Sequence, residues 1–273
     1  MTPELSSPAL DASAAERSTV APLARMLLAQ TRAELRMRWR VPAFSLTNLA
    51  LPVVFFTFFG LPVAGLVRSD GISVGAFLVA SFGAYAVGSV MVYSFGIGVA
   101  VERGMKVDVL MRVTPLPPGV YLLAKVITAL VFSLVSLVVL IVYAVVAGAV
   151  TQPWAVWGEM IARLLVGSVP FIGLGFAIGY MAGPHSAPAV ANLVYLPLAF
   201  ASGLFVPPGQ LPRFVRTFAP YLPTYHYGQL VWGTLRANTE PLAVSVAWLA
   251  GYALVFFTLA LRAYRADEQH KFS

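Results

Sequence analysis

Charge is what this chain most conspicuously lacks. Only 11% of its 273 residues are Asp, Glu, Lys or Arg, while 59% are hydrophobic and the mean hydropathy is +0.81. A soluble domain carries about 25% charged residues. So little charge cannot clothe a water-facing surface, and most of the chain must face lipid or other apolar helices. Cysteine is absent, which excludes disulfides, thiolate metal sites and a Cys nucleophile. No G-x-x-x-x-G-K-[ST] occurs, so the chain has no P-loop of its own for ATP. No acidic residue falls mid-span in any predicted helix, which argues against a proton- or sodium-driven carrier. Residues 1–21 lack a basic start followed by an apolar run and read as a flexible tail rather than a signal peptide.

What is present is a series of uncharged runs. They cover Val41–Val67, Ile72–Val101, Val126–Gly158, Leu164–Pro212 and about Pro241–Leu261. The fourth is too long for one crossing, and the breaker GPHSAP at 183–188 divides it. The pattern predicts an all-α integral membrane fold with six transmembrane helices, the domain spanning residues 22–265 and a short tail covering 266–273. Six crossings place both termini on one side. Thirteen of the 18 Lys and Arg then fall on the terminal side, with Arg68, Arg163, Arg213, Arg216 and Arg236 opposite. The positive-inside rule makes the richer side cytoplasmic. The net charge of +7 is therefore a topology signal and does not indicate a nucleic-acid partner.

Two segments are predicted not to cross. Residues 23–40 place Arg25, Arg32, Arg36 and Arg40 on one stripe at helical spacing, as a basic helix lying in the inner headgroup layer and touching membrane lipid would. Glu34 and Arg38 interrupt its apolar side. Residues 207–236 hold five prolines and Tyr221, Tyr225, Tyr227 and Trp232, a composition for short helices at the outer membrane–water boundary.

Several local patterns are set aside. GISVG at 71–75 matches a nucleophile elbow, but Ser73 opens a membrane helix instead of a strand–turn–helix. GLGFAIG at 173–179 lies within an apolar helix, where Gly175, Gly179 and Gly183 read as a close-packing face. His185, His226 and His270 fall in separate segments, which disfavours a shared metal site. Glu159 and Arg163 are spaced to pair on one helix face. Tyr85, Ser89, Tyr93, Asn192 and Tyr195 are polar or aromatic groups inside spans, candidates for a substrate path or for helix–helix hydrogen bonds.

Against this background stands one dense polar island, ERGMKVDVLMRVTPLPPGVYLLAK at 102–125. Arg103–Arg112 can form a short helix, which Thr114-Pro115 and Pro117-Pro118 end. Glu102, Arg103, Lys106, Asp108 and Arg112 would orient a cytoplasmic partner, with Val107, Leu110 and Met111 supplying apolar contact.

This island, with its L-x-x-x-T-P-L and a following Lys, resembles the first cytoplasmic loop of ABC-2 type transporter permeases. ASGLFVPPGQLPRFVRTFAPYLPTYHYGQLVWGTL, at 201–235, resembles that family's segment between the fifth and sixth helices. Lys106-Val107 stand where many members have Gly-Thr. The resemblance implies an N-terminal elbow helix at 23–40, a coupling helix at 102–118 seated in a groove of a separate ATPase, and short extracytoplasmic re-entrant helices between helices five and six. It also implies two permease copies or paralogues in a bacterial cytoplasmic membrane. ATP and Mg would sit on the partner subunit and no cofactor on this chain, which would be a transport subunit and not an enzyme. Cargo would be an amphipathic drug, antibiotic or lipid-like molecule; a polysaccharide or glycolipid exporter, a membrane enzyme and a non-transporting scaffold remain alternatives.

Overall fold

Where the sequence withholds charge, the backbone must satisfy itself, and it does so as helix. A computed structural model describes residues 22–40, 42–107, 114, 116–148 and 150–271. The elements are α1 (Leu23–Trp39), α2 (Pro42–Phe55), α3 (Val74–Gly104), α4 (Pro118–Gly148), α5 (Trp154–Gly167), α6 (Val169–Met181), α7 (Ala187–Ala201), α8 (Arg213–Phe218), α9 (Pro223–Trp232) and α10 (Leu242–Lys271). No strand occurs among the described residues; a lone antiparallel bridge joins Val67 to Ser73. Four stretches are long and apolar enough to cross a membrane: Val74–Gly104, Pro118–Gly148, Trp154–Met181 and Leu242–Gln269. Asn48–Val63 and Ala187–Ala201 are shorter apolar helices.

Local chemistry sets the boundaries. Ser73 caps α3, its Oγ accepting the Ala76 amide at 3.3 Å, which accounts for the residue as a helix start. Proline at the first position of α4 begins that helix seven residues before Lys125, and so carries the lysine into the packed bundle. Helices α5 and α6 meet at Ser168, two residues before Pro170. The break at 183–186 separates α6 from α7. Pro52 lies inside α2 and cannot donate to the Asn48 carbonyl four residues back. Ser136 of α4 donates to that carbonyl instead, at 2.8 Å. Beyond Phe55 the helix widens into a π turn at Phe56–Gly60 and tightens at Leu61–Val63.

Helix α3 is the axis of the molecule. It packs against α6, α4, α7 and α9, and 94% of its apolar stretch is buried, against 11% for α10. A helix apolar on every side belongs at such a centre. The α3–α6 seam depends on absent side chains. A Cβ on Gly179 would lie 2.7 Å from the Phe95 carbonyl, and one on Gly175 2.8 Å from the Phe95 Cβ. Gly183, the third of that series, meets nothing closer than 3.7 Å and belongs to the loop. Around the axis, α1 packs along α4, and α10 along α6 and α9. The outward faces of α4 and α10, including Val142, Val146, Leu254 and Val255, are exposed and apolar, a composition suited to lipid contact.

Residues 207–236 form a 3₁₀ turn at Pro208–Gln210, then α8, a second turn at Ala219–Tyr221, and α9. Helix α9 is sewn in by its polar tips. Trp232 Nε1 donates to Ser81 Oγ at 2.9 Å, the Tyr227 hydroxyl to the Leu164 carbonyl at 2.6 Å, and Thr224 Oγ1 to the Leu198 carbonyl at 2.8 Å. Four aromatic or hydroxyl side chains grouped for an interfacial role are thus partly core: Tyr227 and Trp232 are buried, while Tyr221 stays exposed.

Candidate functional site: a buried charge network where α1, α3 and α4 meet

The island's first residues do not stand free. Glu102 and Arg103 close the last turn of α3, and both turn inward. Lys125, 1% exposed, places Nζ 3.1 Å from Glu34 Oε1 and also donates to Glu102 Oε1. Tyr121 donates its hydroxyl to Glu102 Oε2. Glu34 is 4% exposed and receives a further bond from Gln30 at 3.4 Å. Arg38, also buried, donates to Ser94 Oγ. Burial lowers the Arg38 guanidinium from its ordinary value, and the carboxylates of Glu34 and Glu102 pull it back up. Two anions and two cations thus occupy one volume where α1, α3 and α4 meet. Charges removed from water need such pairing.

Arg103 makes the second half of the network. It forms a forked pair with Asp267 of α10, Nε lying 3.2 Å from Oδ2. Its Nη1 donates to the Gly179 and Tyr180 carbonyls at 2.7 and 3.0 Å. These carbonyls belong to the last turn of α6, where a cation both satisfies orphan acceptors and complements the helix dipole. One arginine therefore binds the ends of three helices. Asp267 lies in the segment expected as a tail, but α10 runs through it to Lys271.

Beyond Arg103, Met105 caps α3 and Lys106 takes a left-handed conformation with φ 54°. Its amide bonds the Arg103 carbonyl at 3.0 Å. This is a helix stop that glycine adopts without a Cβ penalty. Lys106 and Thr114 are exposed. Asp108, Leu110, Met111, Arg112 and Pro115 lie outside the described residues. Of the α1 arginines, Arg25, Arg32, Arg36 and Arg40 are all exposed, and Thr31, Glu34 and Arg38 form the buried face.

The five polar span residues divide. Tyr93 donates its hydroxyl to Asn192 Oδ1 at 2.8 Å, and Asn192 is exposed. Tyr195 is fully buried, its hydroxyl donating to the Tyr85 carbonyl at 3.1 Å. A Cβ at Gly88 would lie 2.1 Å from that hydroxyl, so glycine is what admits it. Tyr85 and Ser89 are buried, and Ser89 bonds the Ala86 carbonyl of its own helix. Tyr85, Ser89 and Tyr195 thus lie buried between helices, and Tyr93 and Asn192 pair toward an open face.

At the opposite end, Arg163 pairs with Glu159 and donates to the Leu230 carbonyl at 2.9 Å. Buried His226 stacks on Trp248 at 4.9 Å and lies 2.7 Å from Glu240 and 2.8 Å from the Pro220 carbonyl. The i,i+4 spacing gave the Glu159–Arg163 pair, and periodicity gave no sign of the longer-range pairings. The usable signal was the misplacement of Glu34 and Arg38 on an otherwise apolar helix side.

Helices of this length and apolarity, bound at one end by a neutralised cluster of buried charge, define a multi-pass helical membrane protein. The chain belongs to the ABC-2 type transporter family, whose profile matches residues 26–235. It is also 27% identical over 243 residues, covering 89% of this chain and 98% of the other, to the Bacillus subtilis (strain 168) protein named "Putative transport permease YvfS". Membership makes it a transport permease of a family that works with an ATP-binding subunit, and assigns it a transport role rather than catalysis.

Proposed function

We propose that the chain is the membrane subunit of an ATP-driven exporter of amphipathic molecules. Two permease copies, or this chain with a paralogue, would sit in a bacterial cytoplasmic membrane with both termini inside. A separate ATPase carrying ATP and Mg would seat on the 102–118 segment. The observation that carries this reading is the wiring of Glu102 and Arg103. They open that segment and at the same time bind α4, α6 and α10, and Lys125 carries the connection on to Glu34 of α1. A displacement of the segment would pull on three helices directly and on α1 through Lys125, by short, part-buried, directional contacts, the kind of contiguous network that transmits force between sites. Because Arg103 is committed internally, docking falls to the exposed Lys106 and its neighbours.

The test is co-purification with the cell's P-loop ATPase. Lys106→Glu with Arg112→Glu is expected to reduce the ATPase recovered at least tenfold while the permease still inserts. Undiminished recovery contradicts docking at this segment.

A further inference from the structure

Between α1 and the inner end of α3 lies a cavity of about 530 Å³, within the size range of small-molecule sites. Its walls are mostly apolar, with Met37 from α1 and Ile97, Val101 and Met105 from the α3 side. Glu34 and Glu102 stand in the same wall. Lys125 and Gln30 donate to Glu34 Oε1, and Lys125 and Tyr121 to Glu102. Arg38 of the same wall donates through Nη1 to Ser94 Oγ, and its Nε is a buried polar atom that makes no hydrogen bond among the described residues. Among the described residues, Glu34 Oε2 is buried and receives no hydrogen bond. A buried acceptor without a donor is costly, and one set in the wall of an apolar cavity is satisfied by a ligand that brings its own donor.

The charge count then selects the head group. The cluster beside the cavity holds Glu34 and Glu102 against Arg38 and Lys125, two of each sign. A cationic or anionic head would leave an uncompensated charge in a poorly solvated volume. A neutral hydroxyl or amide would not. We infer that this cavity binds an uncharged amphiphile, its apolar body between α1 and α3 and its hydroxyl or amide hydrogen donated to Glu34 Oε2. As a cargo-entry site this rests on the exporter reading, under which α1 lies at inner-leaflet depth; as a binding site it does not.

The test uses three photoreactive probes in nanodiscs: a diazirine-bearing dodecanol, its methyl ether and its trimethylammonium analogue. Labelled residues are mapped by mass spectrometry without ATP or partner. The alcohol is expected to label the segment holding Ile97, Val101 and Met105 at least threefold more than either analogue. Ile97→Trp, which fills the cavity and leaves every charged residue in place, should abolish that labelling. Glu34→Ala should lower the alcohol to the level of the ether. Equal labelling by alcohol and ether, or labelling that survives Ile97→Trp, overturns the site, and stronger labelling by the ammonium probe overturns the neutral-head assignment. Because the alcohol–ether comparison is made on the unaltered protein, misfolding of the Glu34 variant does not decide it. ATP-dependent movement of the alcohol in vesicles is scored separately: its absence with labelling intact tells against the exporter reading alone.

Discussion

Lys125 is the residue on which the inner end turns. Removing it takes the cation from buried Glu34 and half-buried Glu102, and breaking a buried pair costs about 3–5 kcal/mol. Lys125→Met alone should therefore lower the unfolding midpoint in detergent sharply. Combining it with Glu102→Gln should recover much of the loss, because Glu34 and Arg38 then balance one another. Equal midpoints for the single and double variants would show that the charges are not coupled. Lys106 is the opposite case, a residue that holds a conformation it does not favour. A left-handed L-residue costs roughly 1–2 kcal/mol, so Lys106→Gly should stabilise the end of α3, read as a raised midpoint or slower amide exchange over residues 100–106. No change would mean that the turn carries no strain.

At the scale of elements, α3 and α6 lie close because Gly175 and Gly179 let the backbones meet. Gly179→Val should disrupt folding or insertion. Gly251→Ala, in α10 where an added Cβ meets nothing within 4 Å, should be neutral or stabilise by about 0.5–1 kcal/mol; yields of folded protein by size-exclusion distinguish the two. The glycine series was legible in the sequence as a packing face at two of its three positions, since spacing reports a helix side but not where the helix ends. The apolar runs were legible for the same reason that they are helices: an uncharged stretch in lipid must close its own hydrogen bonds. The α1 arginine stripe was legible too. The meaning of Glu34 and Arg38 was not. Their partners lie on α3 and α4, and the Lys125–Glu34 pair spans 91 positions, beyond any periodicity. The partners of Tyr227 and Trp232 were not legible either, since composition registers an amphipathic ring but not the Leu164 carbonyl or Ser81 hydroxyl that receives it.

For the whole molecule, polar bonding concentrates at two levels. The inner end is bound by the Lys125 cluster and the Arg103–Asp267 pair. The far end is bound by α9 with His226, Glu240 and Arg163. Between them α3 runs through a nearly unbroken apolar core, a strut suited to carry movement from one end to the other. That role depends on the polar island lying on the ATPase side. The absence of cysteine makes the decisive measurement simple. Lys106→Cys is the sole thiol, reacted with a membrane-impermeant maleimide in vesicles of each orientation. Labelling is expected only when the cytoplasmic face is outward, and should fall when the ATPase subunit is added. Labelling from the external face, or labelling indifferent to the ATPase, would contradict the coupling of this loop to an ATP-burning partner.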